Sequence, residues 1–246
     1  MDLRPDELER YDRQIRIFGF GVEGQKKLKS AKVLVAGLGG LGCPAAMYLA
    51  AAGVGKLILV DKESVDLSNL NRQVLHWTGD IGKLKVKSAA EKLRQLNPHV
   101  EIEELAIEIN ENNIEELVKE VDVVVDGMDN YKTRFIINEA CVLHNKPFVH
   151  AAVYGFEGQL LTILPGKGPC LRCLVPSKPP EVEPLPVFGA TPGVMAMLEV
   201  IETMKLILGI GKPCSDKLII FDGLTMTFYQ VKVKASAQCP VCAKRR

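Results

Sequence analysis

Apolar residues along the first 150 positions come in short unbroken runs, separated by longer stretches in which they recur at helical spacing. The runs KVLVA (32–36) and KLILV (56–60) suit strands of a parallel sheet covered on both faces. Similar runs predict strands at 100–105, 121–126, 147–153, 159–164, 217–221 and 226–233, and helices at 83–96, 112–120 and 133–145. Strands that alternate with helices predict an α/β fold, a Rossmann-like doubly wound and mostly parallel sheet. The later strands have few helices between them, which predicts a mixed or antiparallel C-terminal extension. Residues 194–208 form a largely apolar stretch interrupted by the charged residues Glu199, Glu202 and Lys205 at three-residue spacing. That pattern predicts a helix buried on most sides with one polar stripe, in a core or a dimer interface.

Residues 176–192 hold six of the fourteen prolines, so this stretch is expected to be an extended loop. With 47% apolar residues among 246, the chain can bury a large core, and its net charge of +1 argues against a global attraction to nucleic acid or anionic membranes. Residues 101–120 carry eight carboxylates against one lysine, which reads as a solvated acidic face. No run approaches the roughly 18 apolar residues of a membrane span, and the N-terminus lacks the apolar stretch of a secretory signal. A cytoplasmic location is therefore expected, where seven cysteines favour metal binding over disulfides.

GLGGLG places Gly37, Gly39 and Gly42 between a strand and a helix, in the pattern of a dinucleotide-type phosphate loop, and Gly40 adds a further position without Cβ. The first glycine permits a tight turn, the second lets phosphate approach the backbone and the third allows close helix–strand packing. Asp61, at the end of the next strand, stands where an acid bonds ribose hydroxyls. These features alone do not separate NAD from ATP. The separation comes from the polar run Ser68-Asn69-Leu70-Asn71-Arg72-Gln73, from Lys85 at a helix start, and from Asp126-Gly127-Met128-Asp129-Asn130 closing a strand. A triphosphate needs cations, which Arg72 and Lys85 can supply, and a carboxylate such as Asp129 can hold Mg²⁺. Taken singly, Arg72 and Lys85 read as surface cations and Asp129 as a helix cap.

These motifs, with RYDRQI at 10–15, LVDKESVDLSNLNRQ at 59–73 and GKLK at 82–85, resemble the HesA/MoeB/ThiF family over nearly the whole chain. The family comprises bacterial and archaeal relatives of ubiquitin-activating enzymes. The resemblance implies an ATP site built from Gly40, Asp61, Ser68, Asn69, Leu70, Asn71, Arg72, Lys85, Asp129 and Asn130. It also implies a homodimer in which Arg13 reaches the partner's phosphates, whereas the sequence by itself gives Arg13 only as an N-terminal surface charge. On this basis residues 1–30 are expected to form a helical arm, 31–165 a nucleotide-binding core and 166–246 a carrier-binding extension that includes the 176–192 crossover loop. The implied reaction is ATP-dependent adenylation of the C-terminal Gly-Gly carboxylate of a small ubiquitin-like sulfur carrier, of the molybdopterin-synthase small-subunit or ThiS type.

Cys170 and Cys173 form one Cys-x-x-Cys pair and Cys239 and Cys242 another, 65 residues apart. Four thiolates make the tetrahedral set of a closed structural Zn²⁺ site, which would staple the C-terminal end to the start of the proline-rich loop. A redox pair would require a βαβ setting that neither pair has. Cys43 and Cys141 read as structural, and Cys214 as a passive loop thiol. Many relatives place a reactive cysteine in the crossover loop. Here 176–192 contains none, and Gly189 stands near the aligned position. Adenylation without a covalent carrier–enzyme intermediate is therefore expected, with sulfur from a separate donor protein.

Three other readings compete. An NAD-dependent dehydrogenase would lack an evident base, His150 at a strand end being the best of four scattered histidines. A non-catalytic carrier-binding member would not need Arg13, Arg72, Lys85 and Asp129. Dehydration of a tRNA-bound threonylcarbamoyl group fits less well with two cysteine pairs and a near-neutral chain.

Overall fold

The structure, a computed structural model, describes residues 2–177, 179 and 185–243. Part of the expected crossover loop (178, 180–184) and residues 244–246 lie outside the described residues. Three helices open the chain: α1 (Pro5–Arg10), α2 (Asp12–Ile15) and α3 (Gly21–Ser30). There follow β1 (Lys32–Ala36), α4 (Gly42–Ala51), β2 (Lys56–Val60), α5 (Lys85–Leu96), β3 (Glu101–Leu105), α6 (Ile114–Lys119), β4 (Val123–Asp126), α7 (Tyr131–Leu143) and β5 (Phe148–Tyr154). The remainder is β6 (Glu157–Ile163), α8 (Leu171–Leu174), α9 (Ala190–Leu208), β7 (Lys217–Asp222) and β8 (Thr227–Lys232).

All eight strands form one sheet in the order β3-β2-β1-β4-β5-β6-β7-β8. Pairings from β3 through β5 are parallel, and those from β5 through β8 are antiparallel. The doubly wound half and the antiparallel extension are thus both present. Successive side chains on a strand point to opposite faces, and β1 feeds two separate cores. Val33 and Val35 pack with α3, α4, α5 and α9 on one face. Leu34 and Ala36 pack with α6, α7 and α8 on the other. Covering both faces explains why β1, β2 and β4 are unbroken apolar runs.

Helix limits move by one to four residues from expectation, for local reasons. α7 starts at Tyr131 because the Asn130 side chain accepts the Thr133 N–H at 2.9 Å, a helix cap. α9 begins at Ala190, so residues 190–192 of the expected loop are instead its first turn. Pro192 is tolerated there because first-turn N–H groups lack helical acceptors anyway. The polar stripe of α9 is turned inward: Glu199 and Glu202 are buried, while Ile201 stands 53% exposed. Among the described residues no helix is long and apolar enough to cross a membrane.

Candidate active site

The sheet order reverses between β1 and β4, and ligands of such sheets bind at the carboxyl ends of the strands beside that reversal. A crevice of about 1330 Å³ opens there, over the ends of β1, β2 and β4. Gly37 has φ +93°, and a Cβ on it would lie 2.6 Å from the Gly127 carbonyl oxygen. A Cβ on Gly42 would come within 1.9 Å of the Gly37 carbonyl oxygen. The two glycines let the turn, the α4 start and the 127–130 loop pack into one layer. A buried imidazole supports this layer from below: His76 Nε2 lies 3.1 Å from the Leu38 carbonyl oxygen and Nδ1 2.9 Å from Ser88 Oγ. Burial lowers the His76 pKa to about 4, so the ring is neutral and donates to the carbonyl through Nε2.

Gly37, Gly39 and Gly40 form one wall of the crevice, Asp61, Asn69 and Arg72 a second, and Lys85, Asp129 and Asn130 close it. Nine of the sequence-predicted residues are thereby brought together. Gly42 lies beneath the crevice, and Ser68, Leu70 and Asn71 shape the neighbouring turn without lining it. Arg13 is exposed on α2 and does not line the crevice of its own chain. Its segment is nonetheless anchored, because the buried Tyr11 hydroxyl accepts from Asn97 Nδ2 at 2.8 Å.

Asp61 accepts the Leu38 N–H through Oδ2 and the Glu63 N–H through Oδ1, both at 2.8 Å. Burial pushes its carboxyl above the usual range, against the pull of those two amides. Arg72 Nη1 donates to the Ser68 carbonyl at 2.9 Å and to Asn71 Oδ1 at 3.0 Å, which fixes the guanidinium at the rim. Lys85, the first residue of α5, is 3% exposed. Its ammonium rests 2.6 Å from the carboxylate of Glu63, whose side chain is 58% exposed. Sequence reasoning missed Glu63, although its place two residues past Asp61, on the same strand exit, was a usable signal. The arrangement is a buried cation whose counter-ion sits on the open side, where an incoming phosphate can take over. Asp129 is exposed, and its carboxylate bonds only the Asn130 side chain, at 3.2 Å, among the described residues. That leaves an oxygen free for a cation, which fits Mg²⁺ held through one carboxylate with phosphates and water.

His150 is wholly buried and absent from the crevice lining, with Nδ1 2.6 Å from Asp126 Oδ2. Burial lowers its pKa, and its position behind the crevice wall, bonded to Asp126, keeps it from a crevice ligand. Nearby, burial and then the Asp126 charge hold the Glu199 carboxyl well above its usual 4.5. The folded chain keeps a proton there that the unfolded chain releases, so stability falls as pH rises above 4.5, by up to about 1.4 kcal/mol per pH unit. Glu199→Gln carries a neutral amide and escapes this penalty. The variant is expected to be more stable than wild type at pH 8, with the advantage shrinking toward pH 4.5. Urea unfolding at several pH values checks this, and a difference that does not change with pH would contradict it.

Cys170, Cys173, Cys239 and Cys242 offer four sulfurs within 4.8 Å of one another. The Cys170–Cys239 and Cys173–Cys242 Sγ separations are 3.5 and 3.4 Å. Sulfurs about 2.3 Å from a common tetrahedral metal stand a little under 4 Å apart, so the set fits a closed metal site with no position for water. Burial pushes the Cys170 and Cys173 thiols up, so ionising them here calls for a cation. Cys43 and Cys141 are buried elsewhere, and burial, followed by the Glu202 charge, raises Cys214 as well. A Cβ on Gly189 would lie 2.3 Å from the Asn71 carbonyl oxygen, so this backbone has no room for a cysteine at that position.

Residues 11–241 match the ThiF family, and the chain belongs to that family. It is 42% identical to the SAMP-activating enzyme E1 of Haloferax volcanii, over 99% of this chain and 92% of that protein. It is also 42% identical to the sulfur carrier protein adenylyltransferase of Thermus thermophilus, over 96% of this chain and 91% of that protein. The crystal structure of E. coli MccB with ATP superimposes with a TM-score of 0.82 at 27% identity, covering 95% of this chain and 74% of that one.

Proposed function

We propose that the chain is an ATP-dependent adenylyltransferase that activates the C-terminal Gly-Gly carboxylate of a small ubiquitin-like sulfur carrier. The observation that carries this reading is the convergence of a glycine loop, Arg72, Lys85 and Asp129 on one crevice, in a chain 42% identical to a sulfur carrier protein adenylyltransferase. A carboxylate oxygen of the carrier attacks the α-phosphorus of ATP, the bond to the bridging oxygen breaks, and pyrophosphate leaves. Positioning and charge stabilisation supply the catalysis. Asp61 faces the ribose. Lys85 exchanges Glu63 for phosphate oxygens, and Arg72 stabilises the charge that develops at the rim. Asp129 would hold Mg²⁺, which when bound neutralises phosphate charge.

Arg13 completes the site from the partner of a homodimer. Ile17 (56% exposed) and Phe18, fully exposed beside it, supply apolar surface for that contact. The four cysteines hold Zn²⁺ in a structural role. The carrier docks near the mouth of the crevice, where exposed Tyr154 adjoins the stacked pair Phe156 and Phe188, ring centroids 4.7 Å apart. Activation ends at the acyl-adenylate, because Gly189 offers no thiol, and sulfur comes from a separate donor.

Incubating enzyme, carrier and ATP labelled at the α-phosphorus tests the reading. Labelled AMP is expected on the carrier, unaffected by thiol reagents and by Cys214→Ala. A thiol-sensitive carrier–enzyme adduct would overturn the non-covalent step, and absence of label would overturn the activity.

A further inference from the structure

Bordering the crevice, whose lining includes Arg134, is a knot of buried ionisable groups to which the proposed phosphate and metal contacts assign no part. Asp126, at the end of β4, and His150, on β5, are fully buried, and Arg134 of α7 is 4% exposed. Asp126 Oδ2 takes hydrogen bonds from Arg134 Nε at 3.0 Å and from His150 Nδ1 at 2.6 Å. Asp126 Oδ1 accepts the backbone N–H of Met128 at 2.9 Å. Arg134 Nη2 donates to the Met128 carbonyl and, at 3.0 Å, to the Ala151 carbonyl. Both polar groups of Met128 are therefore fixed by side chains, and Met128 directly precedes Asp129.

The loop is held at its two ends as well. Gly127 N–H donates to the Ala36 carbonyl at 2.7 Å, which ties the loop to β1. Asn130 is committed as the cap of α7. Asp129 itself makes no tertiary bond among the described residues, so its place in the crevice is inherited from its neighbours.

We propose that Arg134 and Asp126 are positioning residues for Asp129, holding the Met128 peptide so that the Asp129 carboxylate meets the nucleotide-bound cation. This rests on the reading of Asp129 as the residue that holds that cation. The chemistry demands these residue types. Three acceptors on β4, on the loop and on β5 surround one planar guanidinium, whose donors form a rigid fork. An ammonium is a point donor on a flexible stem and cannot hold all three in that geometry. Asp126 offers two oxygens to the three donors that meet it, and His150 presents its Nδ1 proton to one of them, with Asp126 fixing that tautomer. Partners that orient a metal-holding side chain typically change metal affinity by about 10- to 100-fold when mutated.

The test uses Mn²⁺ as the cation, with its binding to the ATP-loaded protein followed by electron paramagnetic resonance alongside carrier-dependent pyrophosphate exchange. Arg134→Lys is expected to weaken Mn²⁺ binding about tenfold or more and to lower kcat for exchange, with the KM for the carrier and metal-free ATP binding unchanged. Asp126→Asn, which keeps an acceptor for Met128 but loses Arg134 and His150, is expected to behave alike. It stands in if Arg134→Lys does not fold. Glu199→Gln alters the same buried neighbourhood without a bond to the loop and is expected to leave Mn²⁺ binding as in wild type. Wild-type Mn²⁺ affinity in the folded Arg134 or Asp126 variant would overturn the proposal, as would an equal loss in Glu199→Gln. If Asp129→Ala binds Mn²⁺ as wild type does, the reading of Asp129 fails instead, and the two failures are thereby distinguished.

Discussion

Asp129→Ala is expected to lower carrier-dependent pyrophosphate exchange by about two to three orders of magnitude, the range seen when one preorganised electrostatic group is removed from an active site. The effect follows from where the residue sits. Its carboxylate is exposed at the floor of the crevice and bonds only its neighbour Asn130. Of the other acids that line the crevice, Asp61 is engaged by two backbone amides, Glu63 by Lys85 and Glu108 by Lys62, while Glu157 stands on β6, away from the loop that follows β4. Removing so exposed a side chain is expected to change folding stability by no more than about 0.5 kcal/mol. The signature is thus a large fall in kcat with an unchanged melting temperature. Full exchange activity in Asp129→Ala would show that the catalytic centre lies elsewhere.

Cys239→Ser is expected to produce the largest loss of stability of any single substitution considered. Cys170, Cys239 and Cys242 are buried in the core that α6, α7 and α8 share with the sheet, and their sulfurs face one another. With zinc bound by the four sulfurs, residues 236–243 are joined to α8, and through the Leu171 N–H on Asn138 to α7. Loss of one ligand frees that segment and leaves buried thiols without a cation. A cost on the order of 4 kcal/mol corresponds to a melting temperature about 10 °C lower for a chain of this size. Metal analysis is expected to find one zinc per chain in wild type and none in Cys239→Ser. The cluster lies outside the crevice lining, so ATP binding by the folded variant is expected to persist. A wild-type chain that carries no zinc and forms a reversible disulfide on mild oxidation would instead support the redox reading.

Much of the fold was legible because its determinants are local. Strands covered on both faces need apolar interiors, and that is how residues 33–36, 57–60 and 123–125 read. The glycine loop was legible for the same reason, since only glycine fits where Gly37 and Gly42 meet backbone oxygens. The start of α9 was less so: proline signals a loop from sequence alone, whereas the first helical turn accepts it. Least legible were pairings between distant residues. Glu63 against Lys85 is 22 positions away, and the knot of Asp126, Arg134 and His150 is assembled by three separate elements. An inward Glu199 could not be told from a solvated stripe, because periodicity gives the spacing of a face and not the direction in which it points. Arg13 is a harder case still, for its expected role needs a second copy of the chain.

Isotope exchange between labelled pyrophosphate and ATP, with and without a purified Gly-Gly-ended carrier, tests the central claim most directly. Rapid incorporation of label into ATP is expected only with the carrier present, and its loss is expected when the carrier's terminal glycine is removed. Exchange that ignores the carrier, or none with any such carrier, would contradict the assignment.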